Sequence, residues 1–276
     1  IAVSSFSGAG IDFFPANTTG NSAPIRSLRG ALTTFVDPRG LVVVGNELFV
    51  ADQGNASIDV FPIDASGNVA PSRQIKGALT TIGSASQITI ADNEIYLGDQ
   101  STTLKIFPTN GTGNIAPSRT ITATGLSSTL GVVTNATEVY VGSYGGQKIL
   151  VFDRMGTGTL TPLRTLTGPT TQLVGPQGLA LVNGELLVAN GNTPSITAYV
   201  ANADGDTAPL RTLVGPNTSL GYPDEFAILG KRMYSANYNN STVQVFEIND
   251  ANDVTPIATI AGAATNINSP LGVVAF

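Results

Sequence analysis

The sequence predicts an all-β protein, a six-bladed β-propeller with four antiparallel strands per blade, in which residues 1–276 form a single domain. Three observations support this prediction. The chain repeats itself about every 46 residues, each repeat holds four short β-rich runs, and the last repeat is divided between the two ends of the chain. Repeats of about 40–45 residues with four strands each are typical of propeller blades.

A recurring Pro-x-Arg element sets the period of the repeat. Residues 58–77 and 104–121 are near copies that run through this element. The arginines lie 45–47 residues apart, at Arg26, Arg73, Arg119, Arg164 and Arg211. A sixth copy keeps Pro256 but has Ala258 in place of the arginine. Because five copies hold one position, we interpret these arginines as scaffold residues that bond carbonyls or a carboxylate between neighbouring blades.

A second element, Pro38-Arg39-Gly40-Leu41 followed by Leu48-Phe49-Val50-Ala51-Asp52, alternates with the first. Its sixth copy begins at Pro270 and runs into Phe276, with no further strand. Residues 1–5 align with residues 186–190, which form the missing piece. We therefore expect the N-terminal strand to close the last blade beside residues 271–276. Closure of this kind removes open sheet edges.

The stretch from Pro38 to Phe61 resembles the NHL repeat and its six-bladed relatives. The Gly-Asn-x-Ala-Pro-x-Arg segment is similar to repeats of secreted bacterial surface propellers. The resemblance implies that residues 40–43 form an innermost strand, 48–51 a second, 58–61 a third and 73–75 an outer fourth. It also implies that the loops before the first strand and after the second share one face of the disc, where such folds usually hold a ligand.

Composition narrows the function classes. The net charge is −6 and Lys and Arg are scattered, which argues against a nucleic-acid partner. No apolar stretch approaches the ~20 residues that span a bilayer. The chain lacks Cys and His, so thiol catalysis and disulfides are excluded and the commonest transition-metal ligand is missing. We expect no metal and no cofactor.

Four lysines, polar uncharged loops and a first residue other than Met favour an extracellular or cell-surface location, with the periplasm as a variant.

Candidate site residues come from two patterns. One repeat position carries short polar side chains that suit turn capping, or alternatively a polar ring around the channel mouth. Its members are Asp52, Asp99, Asn190 and Asn237, with Ser5 and Ser143. The second pattern is departure from the repeat at the start of the innermost strand, where most blades keep a glycine. The mouth-facing set there is Arg39, Ser86, Leu130, Gln177, Asp224 and Leu271, with Glu225 replacing the glycine in the fifth repeat. This diversity indicates either a ligand site or drift.

A third fragment, residues 202–206, resembles half of a calcium-binding EF-hand loop because it alternates Asn, Asp and Asp around a glycine. It lacks the distal bidentate glutamate of such loops and aligns with the ordinary loop at residues 63–68. We favour the ordinary loop.

Two function classes remain open. The first is an exported, non-catalytic scaffold that binds a protein or a surface polymer, or assembles with itself. The second is a lactonase-like hydrolase or lyase that acts at the channel mouth, where Asp224, Glu225, Asp52 and Asp99 would be the available acids or bases. We assign no catalytic residues. A sensing or domain-presentation role within a larger protein is a third reading.

Overall fold

A computed structural model describes residues 1–276, and nearly all of its regular secondary structure is β-strand. The strands are β1 (Ala2–Ser5), β2 (Gly10–Phe13), β3 (Arg26–Arg29), β4 (Pro38–Val44), β5 (Glu47–Asp52), β6 (Ser57–Pro62), β7 (Arg73–Ile75), β8 (Ile88–Ala91), β9 (Glu94–Leu97), β10 (Thr103–Pro108), β11 (Arg119–Thr122), β12 (Thr129–Thr134), β13 (Glu138–Ser143), β14 (Lys148–Asp153), β15 (Gly158–Thr159), β16 (Arg164–Leu166), β17 (Pro176–Val182), β18 (Glu185–Asn190), β19 (Ser195–Val200), β20 (Arg211–Val214), β21 (Pro223–Leu229), β22 (Arg232–Asn237), β23 (Thr242–Glu247), β24 (Ala258–Ile260) and β25 (Pro270–Val274). Single 3₁₀ turns cover Ala78–Thr80, Pro169–Thr171, Pro216–Thr218 and Ala263–Thr265.

The strands form six sheets arranged in a ring, which confirms the six-bladed prediction. Blades 1 to 5 begin at β4, β8, β12, β17 and β21, and blade 6 joins β25 to β1, β2 and β3. Each blade is an antiparallel meander that runs outward from an innermost strand. Neighbouring innermost strands are adjacent around the ring, so blade 1 lies opposite blade 4 and blade 2 opposite blade 5. No helix has the length and apolar character needed to cross a membrane.

The N-terminal strand closes the ring, as predicted. In blade 6, β1 pairs with β25 through Ala2 with Val274 and Val3 with Val273. The N-terminal amine of Ile1 donates a hydrogen bond to the carbonyl of Phe14 at 2.9 Å. The two ends of the chain therefore hydrogen-bond within one sheet. Because β1 lies between β25 and β2, neither of those strands has an open edge at this point.

The hydrophobic core is divided into six layers, one at each interface between neighbouring blades. Each layer contains nine or ten buried residues. The alternation of apolar residues in the second and third strands supplies one face of a blade to the layer on each side. Phe61 and Val50, for example, pack between blades 6 and 1, whereas Phe49 and Val60 pack between blades 1 and 2.

The Gly-Asn element of the repeat joins each blade to the one before it. Leu28 forms a parallel bridge with Gly67, and the same contact recurs at the other interfaces. At one of them it extends to the two-residue strand β15, which adds a fifth member to the sheet of blade 2. The next residue caps the turn that follows the outer strand of the preceding blade: Asn68 Oδ1 accepts from the Leu32 N–H at 2.7 Å. The repeat therefore encodes the contacts between blades.

The Pro-x-Arg arginines lie at the same interfaces, as expected of scaffold residues. Arg211 makes a fork with Glu185 at 2.9 and 2.7 Å and donates to the carbonyl of Ile248 in the next blade at 3.0 Å. Blade 5 lacks both partners of this pair, since Ala258 replaces the arginine and Arg232 replaces the glutamate.

Candidate binding site at the channel mouth

A β-bulge at the start of most innermost strands aims one side chain toward the channel. In blade 1 the pairing register shifts between Pro38 and Leu41, and the same shift recurs in blades 3 to 6. Bulges re-aim side chains and often lie beside functional sites. The residues carried by the five bulges are Arg39, Leu130, Gln177, Asp224 and Leu271. They match the mouth-facing set except for Ser86, in blade 2.

The glycine that follows in four blades is required by close packing. A Cβ atom added to Gly40, Gly131, Gly178 or Gly272 would collide with a carbonyl oxygen of the neighbouring blade. Blades 2 and 5, which lie opposite each other, have Gln87 and Glu225 at this position instead. These two longer side chains meet across the channel.

The upper of two polar layers in the channel is built around Arg39. Its Nη2 donates to Asp224 Oδ2 at 2.7 Å and to Gln177 Oε1 at 2.8 Å, and its Nη1 donates to Gln53 Oε1 at 3.1 Å. The Arg39 and Asp224 side chains are only 9% and 6% exposed. Burial raises the pKa of Asp224, and the Arg39 charge opposes that rise. The charges of the pair offset each other locally.

The lower layer joins Gln87 to Glu225. Gln87 Nε2 donates to Glu225 Oε1 at 3.0 Å, and Gln87 Oε1 accepts from the Val132 N–H at 2.8 Å. Burial, with a further contribution from the charge of Asp224, raises the pKa of Glu225 to about 8. Glu225 Oε2 is buried and has no partner. A neutral, protonated Glu225 is therefore favoured at pH 7.

Above these layers lies an open cavity of about 270 Å³. Its lining combines aromatic, aliphatic, amide and charged side chains: Phe6, Arg39, Gln53, Tyr222, Asp224, Tyr238, Asn239 and Leu271. These residues come from innermost strands and from the loops before the first and after the second strands. Those two sets of loops therefore share one face, as the resemblance implied.

Tyr222 occupies a strained backbone position at the edge of this cavity. Its φ is +57°, and it is the only aromatic residue with a positive φ. A bulky residue in the left-handed region is uncommon, and such strain costs about 1–3 kcal/mol. Its hydroxyl accepts from Gln177 Nε2 at 2.6 Å. Gly191 leaves room for this contact, since a Cβ there would lie 3.1 Å from the Tyr222 ring.

Of the residues predicted from departures at the start of the innermost strands, four lie in the channel layers and Ser86 does not. Arg39, Gln177 and Asp224 meet in the upper layer, and Glu225 lies beneath them. Ser86 is fully buried in blade 2, and its hydroxyl has no partner.

The residues at the turn-capping position do not line the mouth cavity. Asp52 accepts from the N–H groups of Val36 and Asp37. Asn190 and Asn237 each accept from a backbone N–H in the loop before the innermost strand, and so does Asp99. Asp99 also pairs with the buried Lys105. All four side chains therefore take part in turn capping, the first of the two roles considered for this position.

Sequence reasoning missed most of the cavity wall, including Phe6, Tyr222, Tyr238, Gln53 and Asn239. Three of these follow the turn-capping position directly. The residues there are Phe6, Gln53, Gln100, Tyr144, Gly191 and Tyr238, so this position departs from the repeat as strongly as the bulge does. The same search for departures, applied one residue further along, would have identified them.

The EF-hand-like fragment performs the ordinary loop function. Asp204 accepts from the Thr165 N–H at 2.8 Å, and Asp206 accepts from the Thr170 N–H at 2.8 Å. No group of three or more Asp or Glu side chains lies together in a way that would hold a metal ion.

Neither a protein-family model nor a curated protein matches the sequence. Solved structures share its architecture at low identity. A chain of a nidogen–laminin complex is 16% identical with a TM-score of 0.72, and the match covers 99% of this chain and 96% of that one. A proposed 6-phosphogluconolactonase from Bacteroides fragilis is 17% identical with a TM-score of 0.59, covering 95% and 78%. The computationally designed protein Ika8 is 14% identical with a TM-score of 0.53, covering 98% and 73%.

At these identities the comparisons show the fold alone. The chain is a six-bladed β-propeller with a cavity at one end of its channel. The likeness to NHL repeats stays a prediction.

Proposed function

We propose that this protein is an exported, non-catalytic β-propeller that binds a partner, a protein or a surface polymer, through the channel-mouth face. One observation carries the proposal: the mouth cavity is lined by residues that depart from the repeat. Repeat-conserving positions are explained by the contacts between blades, whereas the Arg39–Asp224 pair and the aromatic ring of Tyr222 have no counterpart in the other blades. Binding specificity in such scaffolds is concentrated in loops, because the strands are committed to pairing and packing.

Composition supports export. Only four lysines are present, and the loops are rich in Asn, Thr, Ser and Gly. The proposal predicts that the encoding gene carries a signal sequence upstream of Ile1. A gene that starts near Ile1 without a leader would contradict it. A second copy of the chain is one candidate partner, and light scattering of the purified protein tests for it.

A lactonase-like activity is the second candidate. The proposed lactonase from Bacteroides fragilis shares the fold, and the raised pKa of Glu225 is what a general acid requires near neutral pH. Two features weigh against it. Glu225 bonds Gln87 below the upper layer and does not line the cavity, and the cavity carboxylate Asp224 is paired with Arg39.

Two isosteric substitutions separate these functions. Asp224→Asn changes the cavity, and Glu225→Gln changes only the layer below it. Labelled protein is incubated with intact cells and shed extracellular material of the source organism, and retention is measured. We expect Asp224→Asn to weaken retention at least tenfold and Glu225→Gln to leave it unchanged.

Asp64→Asn, in an exposed outer loop, is the matched control. Unchanged retention by Asp224→Asn, with the fold intact by circular dichroism, would remove the mouth from consideration. Hydrolysis of simple lactones that is lost in Glu225→Gln would favour the enzyme.

A further inference from the structure

Three aromatic side chains form a continuous wall on one side of the mouth cavity. The Phe6 and Tyr238 ring centroids are 5.9 Å apart, and those of Tyr238 and Tyr222 are 6.0 Å apart, both in edge-to-face geometry. All three side chains are partly exposed and line the cavity. The wall continues to Tyr144, whose hydroxyl lies 3.4 Å from that of Tyr222. Aromatic rings of this kind present flat apolar faces with partial negative charge.

The floor of the cavity offers both hydrogen-bond donors and acceptors. Asp224 Oδ2 is bonded to Arg39, but Oδ1 accepts no hydrogen bond from the protein. Arg39 uses both Nη2 protons and one Nη1 proton, which leaves one Nη1–H and the Nε–H as donors. Gln53 and Asn239 add amide groups that can donate and accept.

The charge of the floor selects against ionic ligands. A cation drawn to the aromatic wall would meet the Arg39 guanidinium, and an anion drawn to Arg39 would meet the Asp224 carboxylate. Because the two charges are paired, a neutral ligand faces neither repulsion. The volume of about 270 Å³ lies just below the range of drug-sized sites, so it suits one small ring rather than an extended molecule.

We propose that the channel mouth binds one neutral sugar ring of a surface glycan, with the C–H face of the sugar against Tyr238 and its hydroxyls on Asp224, Arg39 and the amides. This inference rests on the proposed binding function and names its ligand class. A sugar ring has one apolar face and a rim of hydroxyls that both donate and accept, which matches a cavity with one aromatic side and a mixed polar floor. The polarised C–H bonds complement the partial negative charge of the ring faces.

The strained backbone of Tyr222 fits this role. Three of the other blades have Gly175, Ser128 and Ser269 at the equivalent position, also with positive φ. An aromatic residue there is costlier than glycine or serine, and it places a ring at the cavity edge. Strain of this kind is concentrated at ligand-binding sites.

The test uses methyl glycosides of neutral monosaccharides and short neutral oligosaccharides as probes, followed by saturation-transfer NMR and titration. We expect at least one glycoside to bind with a Kd of about 1 mM, the weak end of specific binding. Tyr238→Ala is expected to weaken binding at least tenfold, and Tyr238→Phe, which keeps the ring, is expected to retain it. Binding should not change between low and high salt, because the ligand is uncharged.

Gln100→Ala is the matched control, because Gln100 occupies in blade 2 the position that Tyr238 holds in blade 5 and does not line the cavity. Asn239→Trp, at an exposed position on the rim, should block the cavity without disturbing the core and serves as the second variant.

Three results would overturn the sugar inference. These are no binding of any neutral glycoside or oligosaccharide, binding unaffected by both Tyr238→Ala and Asn239→Trp, and binding confined to charged sugars with a strong dependence on salt. If Asp224→Asn still abolishes retention on cells or extracellular material, the binding function stands and only the ligand class is wrong. If neither sugar binding nor retention depends on the mouth, both proposals fail.

Discussion

At the scale of single residues, the channel is closed by side chains that reach across it. Arg39 in blade 1 meets Gln177 in blade 4, and Gln87 in blade 2 meets Glu225 in blade 5. Buried charged or amide groups are costly unless they are hydrogen-bonded, so each member depends on its partner. These pairs tie opposite blades together, and Arg39 also lines the mouth cavity.

Loss of the Arg39 charge tests this dependence. Arg39→Leu leaves Asp224 buried without a counter-ion, and we expect the free energy of unfolding at pH 8 to fall by about 3–5 kcal/mol. Burial already raises the pKa of Asp224, so the orphaned carboxyl gains a proton as the pH falls. The loss should therefore shrink at pH 5. Urea unfolding at both pH values measures it.

The double variant Arg39→Leu/Asp224→Leu is the control for that experiment. Because it removes both charges, it should recover most of the lost stability. A double variant as unstable as Arg39→Leu would show that lost packing, rather than the unpaired charge, is the cause.

The carboxyl of Glu225 predicts a dependence of stability on pH. Its pKa is about 8 in the folded protein and near 4.5 when exposed. Between these two pH values the folded state binds more protons than the unfolded state. The stability that protonation of Glu225 contributes is therefore complete below pH 4.5 and is lost as the pH rises toward 8. One such group changes the unfolding free energy by at most about 1.4 kcal/mol per pH unit.

Glu225→Gln removes this titration. We expect the difference in unfolding free energy, variant minus wild type, to increase from pH 5 to pH 8. Asp59, whose pKa burial raises to about 7, titrates in both proteins and cancels in the difference. A difference that does not change with pH would show that Glu225 is ionised in the folded state.

At the scale of elements, blade closure depends on strands that are far apart in sequence. The four-residue strand β1 lies between β25 and β2, and its Val3 belongs to the buried layer between blades 5 and 6. Ser4 adds a side-chain tie, since its Oγ donates to the Arg39 carbonyl at 2.8 Å. The strand thus holds blade 6 against both of its neighbours.

Deletion of residues 1–5 should open the ring. The change leaves β25 and β2 with unpaired edges, so we expect a markedly lower thermal midpoint and self-association through those edges. Circular dichroism melts and light scattering provide the measurements. Val3→Asp should destabilise the protein through the same layer, and Val44→Asp, an exposed position at a strand end, is its matched control. A deletion variant that melts like wild type would contradict the closure argument.

At the scale of the whole molecule, stability is distributed around a ring of six similar layers. Each blade contacts only two neighbours through packing, and each interface repeats the same bridge, cap and arginine contacts with local exceptions. Closure makes every blade an interior one, which distinguishes this molecule from an open array with terminal caps. One blade can then vary at its loops without disturbing the shared scaffold.

The amino-acid composition of the whole chain predicts whether the protein binds transition metals. Without Cys or His, and with only two methionines, the available ligands are chiefly hard oxygens, which favour Mg²⁺ or Ca²⁺ over zinc, iron or copper. We expect elemental analysis of the purified protein to find none of those three metals in stoichiometric amount. Retention of one through dialysis against a chelator would contradict the prediction.

Much of the fold could be predicted because local sequence patterns that recur in every repeat determine it. The spacing of Arg26, Arg73 and Arg119 sets the blade length, and the alternation of apolar residues sets the two faces of each blade. The split last repeat predicts closure by residues 1–5. The glycine at the start of four innermost strands is likewise visible in the sequence, but its close packing against the next blade became clear only from the structure.

The site could be predicted only in part, since residues from different blades meet there. Departure from the repeat identified Arg39, Gln177, Asp224 and Glu225, but the pairings across the channel depend on which blades lie opposite each other and on the direction of each bulge. The aromatic wall of Phe6, Tyr222 and Tyr238 depends on two neighbouring blades whose loops lie more than 200 residues apart in sequence. Local patterns therefore determined the scaffold, whereas ring closure in three dimensions decided which of the residues that depart from the repeat meet to form a cavity.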